Sequence, residues 1–407
     1  MKKIDYSLKF MKSSLFCALS IAASCIVESA IAKVPDFENY KPDDWIIKSL
    51  PRIEIAGKPV LYLSSEKMKC PSIDKRIGSG IDVTDVPINA FRREDGSVVI
   101  ISGNQNNYYI EGKSINQATR VSCSSLIEIA NKEDPKKFQG RRWLFDTHKA
   151  KTGLILGFVH NEYHGDDFDI KNCKRSSQSN YECWYGSSTL VTSSDGGFSF
   201  TDPPSPYNVV ATLQDKYRAG AKRAGLTSPK VIENPKDGYV YVMVDRVDRN
   251  RRMRASQCLL RGRGDKLDVW KGWNGEGFTL NLGSPYIKKQ RPNDCKPVLD
   301  FIVQSVKYVK NLKIFLAIGY KDDNIIYSFS KNLISWTNPA TLIGKQKSPN
   351  NFIVKTWPTY FSVLDSASVD DNFDVIENSP YLYFVHTRTD RRKRDVYRVP
   401  LRIRGGD

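Results

Sequence analysis

The stretch SPKVIENPKDGYVYVMVD, residues 228–245, holds two β-rich segments joined by Asp237-Gly238. An Asp-Gly pair between such segments signals a hairpin, because glycine tolerates the positive φ of a tight turn. The pattern recurs. INAFRREDGSVVIIS (88–102), the segment ending TGLILGFVH (152–160), QSVKYVKNLKIFLAIG (304–319) and YFSVLDSASVDDNFDVIENSPYLYFVH (360–386) each lead through a turn into an apolar strand. The second strands recur about every 70 residues, an irregular internal repeat.

Outer-strand signals follow the hairpins. SSDGGFSF (193–200) and SFSKNLISW (328–336) each carry a serine-rich strand, a polar turn and a closing aromatic, and VWKGWNGEGF (269–278) is a degenerate version. Helical periodicity is scarce: KYRAGAKRAG (216–225) reads as a short helix or a charged connection. Five antiparallel units predict an all-β chain folded as a five-bladed β-propeller, with a two-sheet sandwich as the alternative. In a propeller the start of each first strand shares a face with the end of each second strand. That rim gathers Asp82 and Asp85, residues 160–167, residues 245–254 and residues 386–394.

The N-terminus predicts export. Lys2, Lys3, Lys9 and Lys12 precede the apolar run SLFCALSIAASCIV and then Ala30-x-Ala32, the order of a secretory signal. The expected organisation is a signal peptide over 1–32, a leading segment over 33–80 and the propeller over 81–407. A lipoprotein cut before Cys25 fits less well, because Ala22 and Ser24 suit that signal poorly. The destination is the periplasm or the exterior, and no later segment is long and apolar enough for a transmembrane helix.

Past residue 32, six cysteines remain, an even number that in an exported chain reads as disulfides. Cys173 with Cys183 is the local pairing; Cys258 with Cys295 would tie an outer strand to the next connection, leaving Cys70 with Cys123. The same portion carries 58 basic against 43 acidic side chains, a surplus that favours anionic partners. Nucleic acid is a poor candidate partner, since export removes it and no module of basic and aromatic residues is present.

HNEYHG (160–165) is the densest chemical cluster. Side chains two apart on a strand point the same way, so His160, Glu162 and His164 should converge. The spacing lacks the helical register of a zinc motif, so no metal or other cofactor is expected, beyond a structural divalent ion that no ligand cluster demands. Glycosidic cleavage commonly uses two carboxyl groups flanking the bond. Asp85 and Glu162, from adjacent blades, are the candidate catalytic pair, with Asp85 as base or nucleophile and Glu162 as proton donor. His160, His164, Arg261, Asp245, Tyr360, Asp365 and His386 are candidate substrate-binding residues. Arg261, within a strand where a guanidinium needs a partner, is a candidate ligand clamp.

Taken together, DVPINAFR, GFVHNEYHG, ECWYGSSTLVTSSDGGFSF, QCLLR, VWKGWNGEGF and YSFSKNLISW resemble exported bacterial five-bladed propellers related to glycoside hydrolases, more distantly family 43. The resemblance spans residues 80–400, and SSDGGFSF is similar to the Asp box of sialidases, a structural motif. It implies that Asp85 corresponds to the family's general base. The family's general acid, a glutamate entering the third blade, is replaced here by Thr227 or Ser228. Two functions follow as expectations: hydrolysis of a glycan or polysaccharide, or non-catalytic binding of an acidic glycan by an adhesion propeller. Oligomeric state is not readable.

Overall fold

The structure, a computed structural model, describes residues 50–68, 70, 84–169, 171–173, 182–247, 256–287, 294–344, 358–387 and 393–405. Within them the chain is all-β, with no α-helix and a few single 3-10 turns. Residues 216–223 form no helix; the chain passes from them straight into a strand at Ala224.

Two short strands come first, β1 (Arg52–Ile55) and β2 (Val60–Leu63), followed by five antiparallel meanders. The first is β3 (Asn89–Arg92), β4 (Val98–Ile101) and β5 (Tyr109–Gly112). The second is β6 (Arg141–Lys149), β7 (Ile155–His164), β8 (Trp184–Ser193) and β9 (Val209–Ala211). The third runs β10 (Ala224–Glu233), β11 (Val240–Val247), β12 (Ser256–Gly262), β13 (Lys271–Trp273) and β14 (Phe278–Asn281). The fourth holds β15 (Ile302–Val309), β16 (Ile314–Lys321), β17 (Asn324–Ser330) and β18 (Ala340–Ile343). The fifth holds β19 (Thr359–Asp365), β21 (Pro380–Thr387) and β22 (Arg394–Arg404), while the two-residue β20 (Val375–Ile376) pairs with β15.

The expected turn pairs are in place: Gly96 and Gly238 have φ of 83° and 68°. Within the meanders the inner strands are buried almost throughout, because each is covered on both faces. One apolar core separates each successive pair of meanders. Phe91 and Val99 meet Leu144 and Val159; Leu156 and Phe158 meet Val242 and Trp270; Met243 and Leu259 meet Val306 and Phe315. Leu316 and Ile318 then meet Val363 and Phe384, and Leu364 and Val385 return to Ile88 and Ile100 of the first meander. The inner strands follow the same circuit: β3 lies beside β6, then β10, β15 and β19, and β19 lies beside β3. Apolar burial of this kind is worth about 1.5–3 kcal/mol per large side chain, so the last interface stabilises the circuit as the others do.

Pairing at the end of the chain reaches back to its beginning. β22 takes β21 on one side and both β1 and β2 on the other, with Arg52 opposite Arg404 and Val60 opposite Arg398. Residues 52–63, assigned by sequence to a leading segment, thus complete the last sheet.

SSDGGFSF and SFSKNLISW build the same turn. In the first, Asp195 Oδ1 accepts the amides of Phe198 and Ser199, and Ser193 Oγ accepts the amide of Gly197. In the second, Asn332 Oδ1 accepts the amides of Ile334 and Ser335, and Ser330 Oγ accepts that of Leu333. Both lie at the ends of the sheets away from the rim.

All three expected disulfides form, Cys70–Cys123, Cys173–Cys183 and Cys258–Cys295, with Cα separations of 5.5 to 5.7 Å. Cys258 lies in the buried middle of β12 and Cys295 in the connection before β15, so this bridge holds that connection on its sheet. Replacing both with alanine should lower stability by about 2–5 kcal/mol, read from urea unfolding as a lower midpoint, with an m-value that rises as the uncrosslinked unfolded chain expands.

Candidate active site

Four of the five inner strands carry a bulge: β6 between Leu144 and Asp146, β10 between Thr227 and Lys230, β15 between Val303 and Ser305, and β19 between Thr359 and Ser362. A bulge re-aims the side chains beside it. Two non-glycine residues at these bulges hold left-handed backbone, Ser228 at φ 53° and Tyr360 at φ 51°. Such a conformation costs on the order of 1–3 kcal/mol and persists only where surroundings fix it. Both side chains are held by candidate site residues.

The period of two in HNEYHG brings its three residues together. His160 Nε2 lies 2.8 Å from Glu162 Oε1, and His164 Nε2 lies 2.7 Å from Glu162 Oε2. The backbone amide of Ser228 donates to His160 Nδ1 at 3.1 Å, so that nitrogen bears no proton and Nε2–H donates to Glu162. Trp143 meets the His160 ring edge-on at 5.4 Å, and Phe145 stacks on it at 6.2 Å. Burial alone would raise the Glu162 carboxyl, but the hydrogen bonds from His160 and His164 outweigh it and hold the group well below the usual carboxylate range. In that state Glu162 accepts from both imidazoles.

Ser228 Oγ is 3.2 Å from His160 Nδ1, which completes a Ser–His–Glu chain. That chain is a positioning device rather than a nucleophilic triad: Nδ1 already accepts the Ser228 amide and would lose that bond on taking the Oγ proton. His164 is placed differently. Its Nδ1 sits 3.7 Å from Asp166 Oδ1, so the ring lies between two carboxylates.

Asp85 enters β3 at the same end of the sheets. Its Oδ1 accepts the Tyr360 hydroxyl at 2.8 Å and pairs with Arg394, which also donates to the Thr84 carbonyl at 3.1 Å. No described residue bonds to Oδ2. Burial and the Asp85 carboxylate push the Tyr360 hydroxyl far above its ordinary value, against the pull of Arg394. His386 lies at the same end of β21, opposite Asp395 and edge-on to Tyr397 at 5.9 Å.

Other candidates fall elsewhere. Asp245 is at the rim end of β11 but is consumed structurally, accepting Lys230 Nζ at 2.6 Å and Gln257 Nε2 at 2.7 Å. Asp365 lies at the far end of β19, where its Oδ2 accepts the amides of Glu377, Asn378 and Ser379 at 2.8 to 3.1 Å. Arg261 ends β12 opposite Tyr241, near the start of β11, and so sits at the end of the sheet away from Glu162. Neither Asp365 nor Arg261 belongs with the rim group. Asp82, residues 248–255 and residues 388–392 lie outside the described residues.

Arg394 and Asp166 are the partners that sequence reading did not single out. Nothing in the spacing of HTRTDRRKRD distinguishes the arginine that meets Asp85, 309 residues away in the chain. Among the described residues, no group of three or more His, Cys, Asp or Glu is arranged to hold a metal ion, and no helix is long and apolar enough to cross a membrane.

The sequence matches no family model and no curated protein. Solved structures align with the chain along most of its length. A family 117 glycoside hydrolase from the marine bacterium Zobellia galactanivorans aligns with a TM-score of 0.50 at 10% identity, over 87% of this chain and 91% of its own. An α-L-arabinofuranosidase from Lactobacillus brevis aligns at 0.44 and 9% identity, over 78% and 92%, respectively. A protein of unknown function from Dyadobacter fermentans aligns at 0.47 and 12% identity, over 86% and 99%. The likeness to the family 117 enzyme is one of fold, an all-β propeller-like architecture.

Proposed function

We propose that this chain is an exported five-bladed β-propeller that hydrolyses a glycosidic bond in a glycan, with anionic glycans favoured, at the rim between Asp85 and Glu162. The observation that carries the reading is the unequal state of the two acids at the rim ends of their strands: Glu162 is clamped on both oxygens, while Asp85 keeps Oδ2 open. The circuit of five shared cores supports the blade count, and three disulfides support an oxidising destination. The fold likeness to a glycoside hydrolase is consistent with the reaction class.

Asp85 Oδ2 takes a proton from the attacking water, while Tyr360 and Arg394 keep the carboxyl turned. As the water oxygen bonds to the anomeric carbon, the glycosidic C–O bond breaks and its oxygen takes a proton from His164, held between Glu162 and Asp166. Glu162 is then the anion that orients both imidazoles, and the His160 ring, held at both nitrogens, fixes the carboxylate in place. The surplus of basic side chains favours an acidic polymer.

Reducing-end release from a panel of neutral and acidic polysaccharides tests this reading. Glu162→Gln puts an amide NH2 against an imidazole N–H, and kcat on the hydrolysed member should fall by about 100-fold or more. Unchanged turnover in that variant would sink the proposal. A second reading, glycan binding without cleavage, is favoured by Ser228 standing where the resemblance implies an acid. It expects no released ends from any member, and binding that weakens steeply with salt.

A further inference from the structure

Arg261, absent from the rim, lines a cleft of its own. The cleft is small and partly open to solvent, and lies between the third and fourth meanders at the ends of the sheets away from Glu162. Its apolar walls are Trp273, Phe278 and Ile334. The Arg261 guanidinium is fixed over two ring faces, 4.7 Å from the centre of Tyr239 and 4.5 Å from that of Phe278. Stacking sets its plane, and part of its N–H edge meets the Tyr241 hydroxyl, leaving the remainder for a ligand.

The acid that could neutralise it is already saturated. Asp237 Oδ2 accepts the Tyr241 hydroxyl at 2.7 Å and Asn234 Nδ2 at 2.9 Å, and Oδ1 accepts the Tyr239 amide at 2.9 Å. Among the described residues no carboxylate pairs with Arg261. Asn332 is in a similar state: it is 8% exposed, its Oδ1 is occupied by the turn amides, and its Nδ2 donates to no described residue. The cleft therefore combines a fixed cation, an unspent amide donor and an aromatic wall.

We propose that this cleft is a second glycan-binding site, selective for a uronic acid residue. The planar guanidinium takes the sugar carboxylate in a two-point bond, the Asn332 amide takes a ring hydroxyl, and Trp273 covers the apolar face of the ring. The site is independent of chemistry at the rim, and its failure would leave that reading untouched.

Calorimetric titration with trigalacturonic acid, and with its methyl ester as the uncharged counterpart, tests the proposal. In wild type the acid should bind at least tenfold more tightly than the ester. Arg261→Gln should lose that preference, while wild type keeps it. Arg261→Lys, which keeps the charge without the fork, should fall between them and serves if the glutamine variant does not fold. Equal binding of acid and ester, no binding of the acid by wild type at millimolar concentration, or a preference that survives in Arg261→Gln would each overturn it.

Discussion

Asp85→Asn is expected to lower kcat on the glycan substrate by about 10²–10⁴-fold, the range for losing a general base, with the melting temperature close to wild type. The contrast follows from how the two oxygens are used. Oδ1 accepts from Tyr360 and Arg394, and an asparagine oxygen can still accept both bonds. Oδ2 has no described partner, and an NH2 in its place cannot take a proton from water. Asp85→Ala should behave differently, because it also strands Arg394 and the Tyr360 hydroxyl. The side chains of Arg394 and Asp85 are 23% and 26% exposed, so solvent moderates the penalty and a loss near 1 kcal/mol is expected. An asparagine variant with wild-type turnover would remove Asp85 from the chemistry.

The parts of this site that were legible in the sequence are those that local geometry decides. His160, Glu162 and His164 converge because a strand repeats every two residues, and the hairpins followed from Asp-Gly pairs whose glycines have positive φ. Whatever depends on strand ends and distant partners was hidden. Arg261 and Asp245 are both charged residues of one meander, yet register places them at opposite ends of the sheet. Asp365 was a candidate substrate-binding residue but binds three successive amides at the far end of its strand. Thr227 or Ser228 was read as standing where the resembled family has its acid; the bond of Ser228 to His160 depends on a bulge and a left-handed backbone that no propensity encodes. The closure of β22 by β1 joins segments from opposite ends of the chain, a pairing without local signal.

Acid titration should expose two buried groups whose effects oppose each other. Asp146 and His148 lie two apart on β6, 7% and 2% exposed. Burial raises the Asp146 carboxyl from 3.8 to about 6, against the pull of Lys307 and the amides of Val231 and Thr147. Burial lowers the His148 imidazole from 6.5 to about 4. Between pH 6.5 and 4 the unfolded chain protonates the histidine and the folded chain does not, so acidification costs about 3 kcal/mol at 1.36 kcal/mol per unit. Between pH 6 and 3.8 the folded chain protonates Asp146 first, which returns about 3 kcal/mol. In wild type the two nearly cancel. His148→Gln removes the cost alone, so the stability of that variant relative to wild type should rise by about 3 kcal/mol from pH 7 to pH 4. Asp146→Asn should fall by a similar amount over the same interval. Urea midpoints at unit pH steps measure both, and every other titrating group drops out of the comparison with wild type. If both variants track the wild-type profile, each group titrates in the folded chain as it does in the unfolded one, and burial in β6 shifts neither rather than shifting both in balance.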